Sequence, residues 1–323
     1  ITTQTLAVTV TGTNDRPVFV AGDARFGLEN LNTTGSSALE TFNGVLAFAD
    51  ADRDDVGHTA TVTGFNATGT TAGLNNADVD HALLIGAVTK TANSIAGTVA
   101  WSFSAQDKAF DYLAAGETVT LAYQITLDDN EGDSNSTDTT TIYVTIVGTN
   151  DRPVITTGDQ TRGLTEYALS TGGAALQAAG GTFDFTDVDL TDVHTTGASL
   201  TSAVWSGNGT IPSATQAAIA NALSTSITND STGTGTGKID WTFGLADQYV
   251  DFLAKGETLT LTYTVTLKDD SGTGNNAALT KTVTISITGT NDVPVITTQF
   301  GDSDQAFLTE TNSGLMTQGT FTA

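Results

Sequence analysis

The chain has 323 residues, with 11 Lys plus Arg against 36 Asp plus Glu and a formal charge of −25, a balance that argues against nucleic acid and anionic membranes as partners and for association with cations. It has no cysteine, which excludes disulfide staples and thiolate chemistry. No apolar run approaches the ~20 residues of a membrane helix, and the N-terminus does not read as a signal peptide.

The first predicted element is a strand in LAVTVTGTND, residues 6–15, where apolar side chains recur at every second position. The chain opens inside this strand, as a piece of a longer repeat array would. The strand ends in the heptapeptide GTNDRPV, 12–18, and β-forming VFVAG follows. Gly and Asn-Asp supply turn conformations there, and Pro fixes φ and withholds a donor, so the heptapeptide reads as a joint between strands. It recurs as GTNDRPV at 148–154 and as GTNDVPV at 289–295, each time after an alternating stretch; the copies start 136 and 141 residues apart. That period is domain-sized. It divides the chain into the last strand of a preceding repeat at 1–16, repeats at 17–152 and 153–293, and the first strands of a following repeat at 294–323.

Within each repeat the acidic residues come in pattern. Phe48-Ala-Asp50-Ala-Asp52-Arg-Asp54-Asp55 is echoed by Phe185-Thr-Asp187-Val-Asp189-Leu-Thr-Asp192, and His58 and His194 follow. Two Asp at i and i+2 of an extended chain project to one side and repel unless a cation lies between them. An EF-hand does not fit, because Asp55 stands where its turn Gly belongs and Thr61 where its bidentate Glu belongs. Glu29 in GLEN recurs as Glu166 in GLTE and as Glu310 in FLTE.

NNADVDHALLIG from Asn75 aligns, 140 residues on, with the Ala-rich SATQAAIANALST. There a short crossover helix is expected at one edge of the sandwich, with Ser213 as N-cap. Next come Trp101-Ser-Phe103, repeated as Trp241-Thr-Phe243, and DYLAAGETVTLAYQITL from Asp111, repeated as DFLAKGETLTLTYTVTL from Asp251. Val119, Leu121, Tyr123, Ile125 and Leu127 alternate with Thr, Ala or Gln, as in an antiparallel sheet with one face in a core. Asp107 with Asp111 matches Asp247 with Asp251. STGTGTGKID at 231–240 superficially suggests a phosphate loop but carries Ile239 where Ser or Thr is needed.

Taken together, VTIVGTNDRPV, D-[YF]-L-A-x-G-E-T and F-x-D-x-D-x-x-D resemble the VCBS-type, bacterial cadherin-like immunoglobulin repeats of large, type-I-secreted repeats-in-toxin adhesins. The resemblance spans essentially the whole chain. It implies an all-β chain of tandem immunoglobulin/cadherin-like antiparallel β-sandwich repeats, with Ca²⁺ held between successive repeats. Carried onto this sequence, the middle joint would draw ligands from Glu29 and Asp111, from linker Asn150 and Asp151, and from Asp187 and Asp189. At the first joint Asn14 and Asp15 would face Asp50 and Asp52. At the last, Glu166, Asp251, Asn291 and Asp292 would await the next repeat. The acidic upstream motif departs from the cadherin pattern, D-[YF]-L in place of D-R-E, and the linker lacks the cadherin's second Asn.

These readings converge on a Ca²⁺-stiffened extender of an extracellular bacterial surface adhesin serving cell adhesion and biofilm formation. Its partners would be neighbouring repeats, together with a cell-surface or matrix ligand bound by domains outside this chain. No nucleophile constellation, G-x-S-x-G or H-E-x-x-H appears, so no catalytic activity is expected. Two other readings stand beside it. One is a glycan- or polymer-binding module, for which Trp205, without a Trp counterpart in the first repeat, is the candidate aromatic. The other is a subunit of a filament or surface layer, in which the lone first strand exchanges with another copy.

Overall fold

A computed structural model describes residues 3–29, 34–132, 134–271 and 279–292. Two β-sandwiches follow one another along the chain, each built from two four-stranded sheets. In the first, β1 (Val18–Phe19), β3 (Leu39–Ala49), β6 (Ala96–Gln106) and β5 (Leu83–Lys90) form one sheet in the order β1-β3-β6-β5. β2 (Asp23–Leu28), β8 (Thr137–Val147), β7 (Thr118–Asp128) and β4 (Thr59–Gly69) form the other, in the order β2-β8-β7-β4. The second sandwich repeats the plan. It pairs β9 (Val154–Ile155), β11 (Leu176–Thr186), β14 (Thr236–Ala246) and β13 (Leu223–Asn229) in one sheet, and β10 (Gln160–Thr165), β16 (Leu279–Thr288), β15 (Thr258–Lys268) and β12 (Thr195–Trp205) in the other.

The alternating pattern places the core where period-2 logic requires. Val119, Leu121, Tyr123, Ile125 and Leu127 are fully buried, and so are Leu259, Leu261, Val265 and Leu267 on the matching strand. Trp101 and Phe103, like Trp241 and Phe243, project from the opposite sheet into the same two cores. Close packing repeats in detail. A Cβ on Gly97 would come within 2.1 Å of the Phe48 ring, and one on Gly237 within 2.1 Å of Phe185. A β-bulge interrupts β4 between Val62 and Gly64 and β12 between Leu200 and Ser202.

The ladders are antiparallel with one exception in each sandwich. β2 runs parallel to β8 and β10 parallel to β16. This edge pairing delivers the residue after β2 to the same pole at which β8 leaves the sandwich. Glu29 N–H therefore donates to Val147 O at 2.9 Å, and Glu166 N–H to Thr288 O at 3.0 Å.

Two local expectations change. Residues 3–17 form no strand, and Leu6, Val8 and Val10 are exposed. Their counterparts in β8 and β16 lie between two ladder partners, whereas the described residues offer this stretch none. The crossover helix, α1 (Ser213–Ile219), forms between the edge strands β12 and β13, but Pro212 is its N-cap and Ser213 its first helical residue. A Pro there forfeits no helical bond, since the first N–H groups of a helix have no partner in it. In the first repeat the same place holds a single 3-10 turn, Asn76–Asp78, capped by the Asn75 side chain. Both crossovers end on a tyrosine: Tyr123 donates its hydroxyl to Val79 O at 2.5 Å and Tyr263 to Ile219 O at 2.6 Å. The residues assigned to a third repeat, 294–323, lie outside the described residues, as do Glu310 and Val293 to Val295 of the last heptapeptide.

Candidate metal centre

The heptapeptide is held by the other repeated motif. Gly148 accepts from Gly116 N–H at 3.0 Å and donates to Glu117 O at 2.8 Å; Gly289 does the same with Gly256 and Glu257 at 3.0 and 2.8 Å. A side chain on Gly148 would fall 2.3 Å from Leu113 O, so only Gly lets the joint lie against the L-A-x-G-E turn. The next residue aims the acid: Thr149 N–H donates to Glu29 Oε2 at 3.0 Å, and Thr290 N–H to Glu166 Oε2 at 2.7 Å.

At the middle joint, one carboxylate oxygen from each of Glu29, Asp111 and Asp151 lies within 4.8 Å of the other two, and all three residues are buried. Gly35 N–H donates to Asp111 Oδ2 at 2.6 Å and the Thr34 hydroxyl donates to Asp151 Oδ1. The linker then crosses to the second repeat, where Asp151 N–H donates to Asp189 Oδ2 at 2.8 Å and Asp189 N–H to Asp187 Oδ1 at 3.1 Å. Glu29 Oε1, Asp189 Oδ1 and both amide atoms of Asn150 are buried with no hydrogen-bond partner. Six acidic or amide side chains from two repeats and their linker thus meet at one pole, several with an oxygen unused.

Burial and mutual repulsion disfavour the ionised form of these carboxylates. Burial, reinforced by Asp151, Asp111 and Asp107 and opposed by the Thr149 N–H, pushes Glu29 up to about 9. Burial, with Asp187, Asp192 and Asp151 nearby and against the Asp151 N–H, raises Asp189 to about 9. Burial, with Asp111, Asp187 and Asp107 against the Thr34 hydroxyl, raises Asp151 to about 6. At an effective dielectric of 20, two ionised groups about 4 Å apart repel by ~4 kcal/mol. Buried carboxylates in this number need protons or a cation. The donor set is all oxygen, carboxylate and amide, which suits a hard divalent ion.

The last joint repeats the upstream half. Glu166, Asp251 and Asp292 converge within 4.8 Å, Gly172 N–H donates to Asp251 Oδ2 at 2.7 Å, and burial raises Glu166 to about 7. Asn291 turns its amide to Asp292 O at 3.0 Å. The first joint repeats the downstream half: Asp15 N–H donates to Asp52 Oδ2 at 2.7 Å and Asp52 N–H to Asp50 Oδ1 at 2.8 Å. Asn14 donates to Asp129 Oδ2 at 3.1 Å.

Some participants recur in the sequence without a place among the expected ligands. Asp107 and Asp247, each opening a 3-10 turn after β6 or β14, are fully buried beside the clusters. Their 140-residue recurrence was the available signal. Asp192, pushed to about 7 by burial and by Asp187, Asp270 and Asp269, carries an unpartnered Oδ2. His58 and His194 serve the acidic loops: His58 Nε2 lies 2.7 Å from Asp50 Oδ2, and His194 bridges Asp187 at 2.9 Å and Asp230 at 2.7 Å. Burial lowers the His194 pKa, but its two carboxylate partners outweigh this and raise it. Leu190 also joins the interface, packing from the second repeat against the first repeat's core beside Tyr112 and Gly73. Its N–H donates to Tyr112 O at 3.3 Å.

Trp205 is half-buried and lines a surface cavity with Leu200, Ala203 and Ile211. Its indole N–H donates to Glu257 Oε2 at 3.0 Å, Phe252 meets it edge-on at 5.0 Å, and Gly207 and Gly209 lie so close that a Cβ on either would touch its ring.

No family model and no curated protein matches the chain. Among solved structures it is similar to mouse cadherin-23 EC22-24, at 15% identity over 85% of this chain and 67% of that one, with a TM-score of 0.32. It is similar to the zebrafish RET cadherin-like domains 1 to 4, at 12% identity over 85% of this chain, with a TM-score of 0.25; it spans about half, 52%, of that structure. CfaE, the adhesive subunit of the CFA/I fimbria of enterotoxigenic Escherichia coli, matches at 10% identity over 85% of this chain and 99% of its own, with a TM-score of 0.39. The strand order, the duplicated cores and the parallel edge pairs make the chain a tandem of two β-sandwiches of one plan.

Proposed function

We propose that the two sandwiches are extender repeats of a secreted bacterial surface adhesin of the VCBS, repeats-in-toxin kind, stiffened by Ca²⁺ at their joints, and that they act in cell adhesion and biofilm formation. The observation that carries this reading is the convergence of Glu29, Asp111 and Asp151 within 4.8 Å, tied through the Asp151 N–H to Asp189 of the next repeat. Glu29, Asp111 and Asp151 with Asn150, Asp187 and Asp189 would hold the ion, which supplies positive charge that no side chain in the cluster offers. The protein's own part is geometric. The parallel β2–β8 pair places Glu29, the turn after β6 places Asp107 and Asp111, and the linker threads between them. Because an ion binds the converged state and not the splayed one, its binding free energy becomes resistance to bending. The adhesive target would be met by domains outside this chain, with the repeats setting distance and direction.

Small-angle scattering with saturating Ca²⁺ and with chelator tests the reading. A maximum dimension and melting temperature that are the same in both conditions would overturn it, as would the absence of Ca²⁺ binding by calorimetry.

A further inference from the structure

The acidic loops of the two repeats share a frame but not a charge balance. In the first, Asp50, Asp55 and His58 bring ligand atoms within 4.8 Å of one another, the appearance of a metal site. Yet a cation already reaches it. Lys90, the last residue of β5, has a fully buried side chain; its Nζ donates to Asp52 O and Asp55 O, both at 2.6 Å, and lies 3.8 Å from Asp50 Oδ2. An ammonium so buried is stable only where carbonyls and a carboxylate replace its water, and this loop supplies both.

The matching position 140 residues on is Asp230, a reversal of two unit charges. There the brace is neutral: the Thr232 hydroxyl donates to Asp192 O at 2.7 Å, in place of the contact that Lys90 makes to Asp55 O. Asp230 instead adds a carboxylate, spent on His194 at 2.7 Å. The backbone between is the same, since Asn93 N–H donates to Arg53 O at 2.8 Å and Gly233 N–H to Leu190 O at 2.7 Å. One loop shape is thus held by an internal cation in the first repeat and by a neutral donor beside an added carboxylate in the second; Asp55 Oδ2 and its counterpart Asp192 Oδ2 are both unpartnered, and in the second repeat Asp189 Oδ1 is too.

We infer that Lys90 is the built-in counter-ion of the first repeat's acidic loop, so that this loop keeps its shape without a bound ion while the second repeat's loop depends on one. The second half of this inference rests on the Ca²⁺ reading of the middle joint; the first half does not. A fixed ammonium beside Asp50 also repels a divalent ion from the Asp50–Asp55–His58 cluster, which makes Lys90 a determinant of where along the chain cations bind.

Hydrogen exchange read by mass spectrometry, on peptides covering 50–58 and 187–194 in Ca²⁺ and in chelator, tests this on the full chain. In the wild type, chelation should speed exchange in 187–194 about tenfold or more and leave 50–58 within about twofold. Lys90→Met should open 50–58 about tenfold in chelator, with β7 remaining protected as the sign that the repeat is folded. Wild-type 50–58 opening as far as 187–194 on chelation, or Lys90→Met leaving 50–58 as protected as before, overturns the inference. If Lys90→Met unfolds the repeat, the reciprocal Asp230→Lys decides: it should blunt the response of 187–194 to chelator, and an undiminished response is a refutation. If neither wild-type loop responds to Ca²⁺, the Ca²⁺ reading fails, and the Lys90→Met result in chelator still decides the role of Lys90.

Discussion

The two repeats share one core plan and differ at their acidic loops. Phe48 over Gly97 and Phe185 over Gly237, Tyr123 on Val79 and Tyr263 on Ile219, are the same solutions made twice. In the loops, Arg53 and Lys90 stand where the second repeat has Leu190 and Asp230. The contrast teaches that packing tolerates little change, because a close-packed interior registers a single methyl group, whereas a polar loop holds its shape with either a cation or a neutral donor against the same carbonyl.

The largest effect expected from this comparison is at the middle joint. If the joint holds Ca²⁺ as proposed, stripping the ion from a concentration a thousandfold above its dissociation constant should remove ~4 kcal/mol from the ordered joint, seen as a lowered melting transition, and Asp189→Asn should reproduce much of the loss in the presence of Ca²⁺. The core pair comes next and should erase the difference between repeats: Gly97→Ala and Gly237→Ala are each expected to cost about 1–3 kcal/mol by overpacking against a ring. Urea unfolding that finds one much costlier than the other would break the equivalence of the cores.

Acidity offers a reading without mutation. Glu29 and Asp189 at about 9, Glu166 and Asp192 at about 7 and Asp151 at about 6 all lie above their ordinary values. Free of ions, the folded chain therefore holds more protons than the unfolded one from about pH 4 to pH 9, and its stability falls as pH rises through that window. Melting with chelator should show a lower transition at pH 8 than at pH 5. Saturating Ca²⁺, which favours the ionised carboxylates, should flatten or invert the trend.

Smaller effects separate the loops. Leu190→Ala, losing its contact with the first repeat's core, should cost ~1–2 kcal/mol of coupling between the repeats. Arg53→Ala at the equivalent position should stay within about 0.5 kcal/mol. Smallest of all, Asp54→Asn should be nearly neutral, since its counterpart is Thr191; calorimetric Ca²⁺ affinity should respond to Asp187→Asn well before it responds to Asp54→Asn.

Much of the site was legible because it is duplicated. Recurrence at about 140 residues singled out Glu29 with Glu166 and Asp111 with Asp251, and the structure brings each pair to the same place at its joint. Asp107 recurred as well, but only the 3-10 turn after β6 shows that it faces inward and is fully buried. Lys90 and Leu190 could not be found by repetition at all, because their importance lies in the positions where the repeats disagree. The helix is capped one residue before the Ser that the sequence suggests: Pro212 takes the N-cap position without a side-chain capping bond, and Ser213 is the first helical residue.

By itself the sequence determined the β-class, the repeat period, the faces of the strands and which acids recur with the repeat, because alternation, turn chemistry and recurrence are local or additive along the chain. The tertiary structure alone decided which acids share a cluster, which oxygens are left without donors, and that β2 runs parallel to β8. Those depend on distances between residues more than a hundred positions apart, such as Glu29 and Thr149. Charge repulsion and desolvation take their size from those distances and from burial, and no spacing along the chain encodes either.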